Sequence, residues 1–274
     1  MPEPMSEEQF RKSIYAKYAE HFRHVYALHQ LAESAIQTYR TFTATHYEAS
    51  LSLIFGRAYK AYDSIRRLCE VASCEDAGVL LRSLLNLMVV TRWISMDPPK
   101  RAKRYFDWYW VSLKGYAEKF PNHVPSSWLP TIEKRFDAVR SQFQYQDSKK
   151  HVRLAKHWYQ PEARSIRDLF KQVDVERHYE EAYSPLSSIE HSDINAFFAM
   201  TAEMDRDGDE RRLEIQSDLF VPHYLRNAFQ YFADIFQTCN KTVPLADTAE
   251  LTETIGAGMA FYAGDMKGRG MAPY

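Results

Sequence analysis

The chain has 274 residues, enough for one large domain or two small ones with a substantial buried core. At 45% apolar, 26% charged and 14% aromatic it is neither disordered by composition nor reliant on disulfides, and no uninterrupted apolar run has the length of a bilayer span. Lys plus Arg (35) balances Asp plus Glu (36), which excludes a globally basic nucleic-acid binder but leaves room for a local patch.

Cys69, Cys74 and Cys239 have no zinc or redox spacing, and the opening MPEPMSEEQF carries no secretory pattern, so a reducing bacterial cytoplasm and no membrane partner are expected. Only nine glycines, with long stretches free of Gly and Pro, predict an all-α multi-helix bundle. Ser6 followed by Glu7 and Glu8 reads as a cap, with a first helix running to about residue 39. A second helix spans 47–71. A third, 74–96, is apolar almost all round, as a central packed helix would be. Pro98 and Pro99 end it and open a fourth, 98–120, in which Lys100, Arg101, Lys103 and Arg104 alternate with Tyr105, Phe106, Trp108, Tyr109 and Trp110.

A helix over 131–146 is followed by a polar connector, 144–156, that reads as a flexible linker. Short helices are expected over 165–172 and 175–183, then a break at Ser184-Pro185 and a helix over 192–204. Asp207-Gly208 suggests a small hairpin within 200–215. A last helix over 222–241 closes a single helical domain, 1–241, and the glycines crowded into 242–274 read as a loosely held extension.

There is no GxxxxGK, HExxH or GxSxG, and no metal or cofactor is expected. Arg followed by His at ribonuclease-like spacing occurs at Arg23/His29 and Arg40/His46, but 21 arginines in this composition give about two such pairs by chance. His29 falls on the apolar stripe with Phe22 and Val25, where a hydrogen-bonded core histidine is the simpler reading. Arg82 is more informative. It lies in the most apolar helix, and a guanidinium there needs polar partners. The segment 187–193, with two acids, a histidine and three serines, offers them. Arg82 is then either a buried anchor or a phosphate-binding group. Residues 133–171 hold ten Lys/Arg against five acids, whereas 174–218 hold thirteen acids against four arginines. The basic-aromatic helix either stacks a nucleic-acid strand or covers a core with its long side chains.

Taken together, GVLLRSLLNLMVVTRWI (78–94), PPKRAKRYFDWYW (98–110) and HWYQPEARSIRDLF with YEEAYSPLSSIEHSD (157–193) resemble a bacterial helical family, domain of unknown function 5677, over about residues 10–240. The matching positions are Arg82; His157, Trp158, Ser165, Ile166 and Arg167; and Tyr179, Tyr183, Ser187 and His191. Asn86 departs from the pattern, since such sequences usually carry Glu there. The resemblance implies an all-helical protein, HEPN-like in style, with a role in anti-phage defence or a toxin system. On that basis the expected function is a metal-independent RNA-acting effector. His191 would transfer protons, Glu190 orient it and Arg82 contact phosphate, with Arg167, His157, Trp158, Tyr179 and Asn86 binding substrate. The alternatives are a non-catalytic helical module that meets a partner protein or its own copy as a homo-oligomer, and a nucleotide sensor.

Overall fold

Helices form where the periodicity requires them, and their ends follow local chemistry. Ser6 caps the first through a reciprocal capping box with Gln9, and Pro98 and Pro99 occupy the first turn of the fifth, where a missing N–H costs nothing. The computed structural model describes residues 6–38, 45–190, 218 and 220–268. Its helices are α1 (Glu7–Lys17), α2 (Ala19–Thr38), α3 (His46–Glu70), α4 (Cys74–Ser95), α5 (Pro98–Lys119), α6 (Leu129–Val139), α7 (Ile166–Gln172), α8 (Glu176–His178), α9 (Ser184–Glu190), α10 (Val221–Asn240) and α11 (Thr248–Gly268). One antiparallel hairpin, β1 (Gln144–Gln146) with β2 (Val152–Leu154), accompanies them. The fold is all-α with a small hairpin.

The chain divides into two units. Unit 1 comprises Met1–Phe42, Leu51–Thr91 and Arg177–Tyr274; unit 2 comprises Thr43–Ser50 and Arg92–Glu176. In unit 1, α2 packs against α1, α10 and α11. Tyr62 is fully buried, donates to the Val25 carbonyl (3.0 Å) and stacks on Phe232 (4.5 Å), which continues to Phe55 and Phe236. By length and composition alone α4 could cross a membrane, but 61% of its apolar window is buried within the fold, as in a core helix. In unit 2, α5 packs on α6, and Val111, Phe136, Val139, Phe143 and Ala155 form a core that reaches the hairpin.

Several expectations are corrected. The first helix is interrupted at Tyr18, whose φ of −119° and ψ of 29° are not helical. The helix over 131–146 ends at Val139 and passes through a 3-10 turn into β1. The supposed flexible linker is therefore the hairpin, its turn tied by Asp147 accepting from the amides of Lys149 and His151 (both 2.9 Å), with Lys150 at φ 62°. Ser184-Pro185 does not break the helix. A π-helical turn, Tyr179–Tyr183, runs directly into α9, whose first turn accepts Pro185. The glycine-rich segment is not loosely held: α11 packs on α2 and α10 and buries Leu251, Ile255, Gly258, Tyr262 and Met266. The hairpin and helix expected within 192–215 lie outside the described residues.

Candidate functional site

In unit 1 the structure brings Arg82 to the Tyr179–Glu190 stretch. Its Nη2 donates to Tyr183 Oη (3.0 Å), and the guanidinium carbon lies 4.6 Å from the centroid of the same ring. Tyr183 stacks on Tyr179 at 5.3 Å and 18°. Arg82 is half-buried rather than sunk in the core. One turn further along α4, Asn86 places a buried Oδ1 that has no hydrogen-bond partner among the described residues. Glu190 is the last residue of α9, and His191 lies outside the described residues. Of the residues expected to do chemistry, Arg82, Asn86 and Tyr179 thus share one neighbourhood built on α4 and the π-helical turn.

A second polar cluster in unit 1 escaped the sequence reading. Arg66, only 6% exposed, donates to Asp63 Oδ1 through Nε (3.1 Å) and Nη2 (2.6 Å), and through Nη1 to Tyr26 Oη (2.6 Å) and Glu70. Glu70 also accepts from Tyr26 (2.8 Å) and Arg11, and Tyr15 bonds Tyr26. His29 Nε2 faces Asp63 Oδ1 (3.0 Å) and Tyr59 Oη (3.2 Å). Burial would raise the Asp63 carboxyl, but the bonds from Arg66 and Arg67 hold it below its ordinary range; burial also lowers the His29 imidazole, which is therefore neutral near pH 7. The chemistry available is an oriented, neutral imidazole beside an ionised carboxylate. Arg66, however, is already spent on two acids and a phenol, so it ties α3 to α2, with α1 joined through Arg11 on Glu70 and Tyr15 on Tyr26, rather than waiting for an anion. The spacing of Asp63, Arg66, Arg67 and Glu70 along α3 was the available signal. Arg23 does not join His29; it is exposed and donates to Glu20 (2.6 and 3.0 Å).

In unit 2, Trp158 is half-buried, its ring edge-on to Trp93 (5.2 Å) and Tyr105 (4.9 Å). His157 is exposed and stacks on Tyr159 (5.2 Å, 11°). Arg167 is exposed on α7 and donates to Glu176 (3.3 Å), while Ser165 caps that helix by accepting from the Asp168 amide. Beneath them Arg104 is buried and donates to three backbone carbonyls, of Trp158 (2.7 Å), Gln142 (2.5 Å) and Gln160, with Phe143 under its plane. Burial lowers its pKa from the usual arginine value.

The outer face of α5 is different in kind. Tyr109 and Tyr116, seven apart, share one face of α5, Phe120 just past its end packs on Tyr116 to extend the stripe, and the three are 53%, 44% and 39% exposed. Tyr116, Phe120 and His123 form one aromatic group, with the Phe120 and His123 rings stacked at 5.5 Å and 12°. Lys119 lies over Phe120 (5.3 Å) and Arg135 over Trp110 (5.6 Å). These large rings in water, alternating with cations, make a surface suited to flat, anionic ligands.

Among known proteins, the model of a family of unknown function (DUF5677) matches residues 48–210. The chain belongs to this family. The DUF5677 match covers α3 to α9, and so includes Arg82, Asn86, Arg104, the α5 stripe and the hairpin, but begins after α1 and α2. No curated protein matches the chain, and no solved structure matches it.

Proposed function

We propose that this DUF5677 protein is an RNA-acting effector that holds a single strand on the aromatic-basic face of α5. The observation that carries the reading is the exposed Tyr109–Tyr116–Phe120 stripe, set in a unit with seventeen Lys/Arg against eleven acids although the whole chain is close to neutral. The stripe spans about 16 Å of helix, room for about three stacked bases. In unit 1, proton transfer is assigned to His191, its orientation to Glu190 and phosphate contact to Arg82, in a cytoplasmic defence or toxin setting.

The test is fluorescence anisotropy with a labelled 12-nucleotide RNA at two salt concentrations. Tyr116→Ala with Phe120→Ala should weaken binding at least about tenfold, since each stacked base contributes about 1–3 kcal/mol, while the melting temperature is unchanged. Affinity should fall steeply with salt, as phosphate contacts require. Absence of binding at low salt, or binding indifferent to the double variant, overturns the reading. Incubation with total RNA without metal, comparing His191→Ala with the parent, tests cleavage. The exposed rings would equally suit a protein partner or a second copy, but such an interface would lack the steep salt dependence.

A further inference from the structure

Unit 2 contains a cleft of about 660 Å³ between the β1–β2 turn and the 160–164 turn, lined by Tyr145, Gln146, Asp147, Ser148, Gln160 and Arg164 among others. Its volume is in the range of small-molecule sites. Two of these side chains are occupied in shaping it. The Gln160 carboxamide accepts from the Lys156 amide (2.8 Å) and donates to the Arg164 carbonyl (3.1 Å). The Asp147 carboxylate accepts two turn amides and Arg153 Nε (3.0 Å); those bonds, that of the His151 amide first, hold its pKa below the ordinary range.

The other four are uncommitted. Among the described residues, the Arg164 guanidinium, the Gln146 carboxamide, the Ser148 hydroxyl and the Tyr145 phenol have no hydrogen-bond or ion-pair partner, and none is hidden behind another group: Gln146, Ser148 and Arg164 are exposed and Tyr145 half-buried. The surrounding segment, 144–164, has five Lys/Arg against two acids. Both acids are engaged, Asp147 by Arg153 and Glu162 by Lys100 and Arg101. The cleft therefore presents net positive charge, a planar ring, an amide that can both donate and accept, and a hydroxyl.

We propose that this cleft binds a phosphorylated nucleoside, with the base against Tyr145, the Gln146 amide on its edge and the phosphate on Arg164. A guanidinium pairs two phosphate oxygens at once, and a phenol ring offers a sequence-tolerant stacking surface. The nucleoside is either free or the phosphorylated end of a strand. The proposal deepens the RNA reading and rests on it for the second of these sources only.

The experiment is calorimetric titration of the full chain with AMP, inorganic phosphate, a 5′-phosphorylated hexaadenylate and the same hexaadenylate without phosphate. AMP should bind, phosphate alone more weakly. Arg164→Ala should weaken AMP and phosphate about tenfold each, whereas Tyr145→Leu should weaken AMP about tenfold and leave phosphate unchanged. If the occupant is a strand end, the phosphorylated hexamer binds more tightly than AMP and than its unphosphorylated twin; if it is a free nucleotide, AMP binds at least as well as the hexamer. Both variants should keep the parent melting temperature, because the bonds Arg164 and Tyr145 make among the described residues are backbone ones that the substitutions leave in place.

No binding of AMP or of the phosphorylated hexamer at millimolar concentration overturns the proposal, as does binding that neither variant alters. Failure of the RNA reading looks different. The Tyr116→Ala, Phe120→Ala protein would then bind the 12-nucleotide strand like the parent, while AMP would remain sensitive to Arg164→Ala.

Discussion

Gly258 and Gly256 sit on the same helix, two residues apart, and the same substitution at each should move stability in opposite directions. A Cβ built at Gly258 clashes with the Cζ end of the Phe229 ring, with three ring carbons within 2.8 Å, whereas at Gly256 nothing lies within 4 Å. Phe229 is fully buried on α10 and packs on Tyr262 of α11 (5.4 Å), so its ring has little freedom to withdraw. Both glycines are helical, and Ala in a helix interior is favoured over Gly by about 0.8–1 kcal/mol. Gly256→Ala should therefore stabilise by up to about 1 kcal/mol. Gly258→Ala gains the same propensity but adds an overpacking cost of about 1–3 kcal/mol. The difference between the two variants cancels the propensity contribution and isolates the clash. Urea unfolding followed by far-UV circular dichroism should place the Gly258→Ala midpoint below that of Gly256→Ala, by an amount equivalent to about 1–3 kcal/mol. Equal midpoints, or a more stable Gly258→Ala, would show that α10 and α11 do not meet closely at this residue.

Two further predictions concern buried polar groups. His223 on α10 accepts from Arg226 at Nδ1 (3.1 Å), which requires that nitrogen to be unprotonated, and burial together with the Arg226 charge pushes its pKa down to about 4. The unfolded chain, with a histidine near 6.5, takes the proton first, so this contribution is complete above about pH 6.5 and lost as the pH falls toward 4. Between pH 7 and 4.5 the parent should lose about 2–3 kcal/mol more than His223→Gln, measured by urea unfolding at each pH; parallel losses would refute it. Arg104→Lys should destabilise by about 2–4 kcal/mol, because one ammonium cannot reach the three carbonyls that a guanidinium spans, and a loss under about 0.5 kcal/mol in the same assay would sink that account.

Much of the helical frame was legible because long apolar periodicity and proline breaks act locally: α3, α4, α5 and α10 begin and end within a residue or two of the sequence reading. The failures share a cause. Glycine was read as a loop former, yet in α11 its lack of a side chain permits the approach to Phe229, a property of the partner helix that local sequence does not contain. Residues 144–156 looked like a polar linker because a two-stranded hairpin with exposed β2 residues needs no apolar alternation, only an Asp to tie the turn. Arg82 is expected from the sequence to find its partners in 187–193, but its hydrogen bond and ring contact run to Tyr183, just before that segment; an uncharged phenol carries no sign in the sequence that it will answer a guanidinium. The Asp63–Arg66–Glu70 cluster was passed over because its charges resemble those of any solvated helix face until α1 and α2 cover them.

How each arginine is answered bears on where an anion can bind. Arg66 in unit 1 is ringed by two carboxylates, and its charge is cancelled where it stands. Among the described residues, Arg104 in unit 2 is answered by carbonyl dipoles and the Phe143 ring and by no carboxylate hydrogen bond, and the nearby Glu162 is already paired with Lys100 and Arg101. A dipole solvates a cation without neutralising it, so unit 2 keeps that charge. The carbonyls Arg104 grips belong to Gln142, just before β1, and to Trp158 and Gln160, of which Gln160 lines the hairpin cleft. One buried guanidinium thus ties the residues leading into β1 to the segment that supplies Gln160, so Arg104→Lys should also weaken AMP binding in the calorimetric titration, and an unchanged AMP affinity would refute that link.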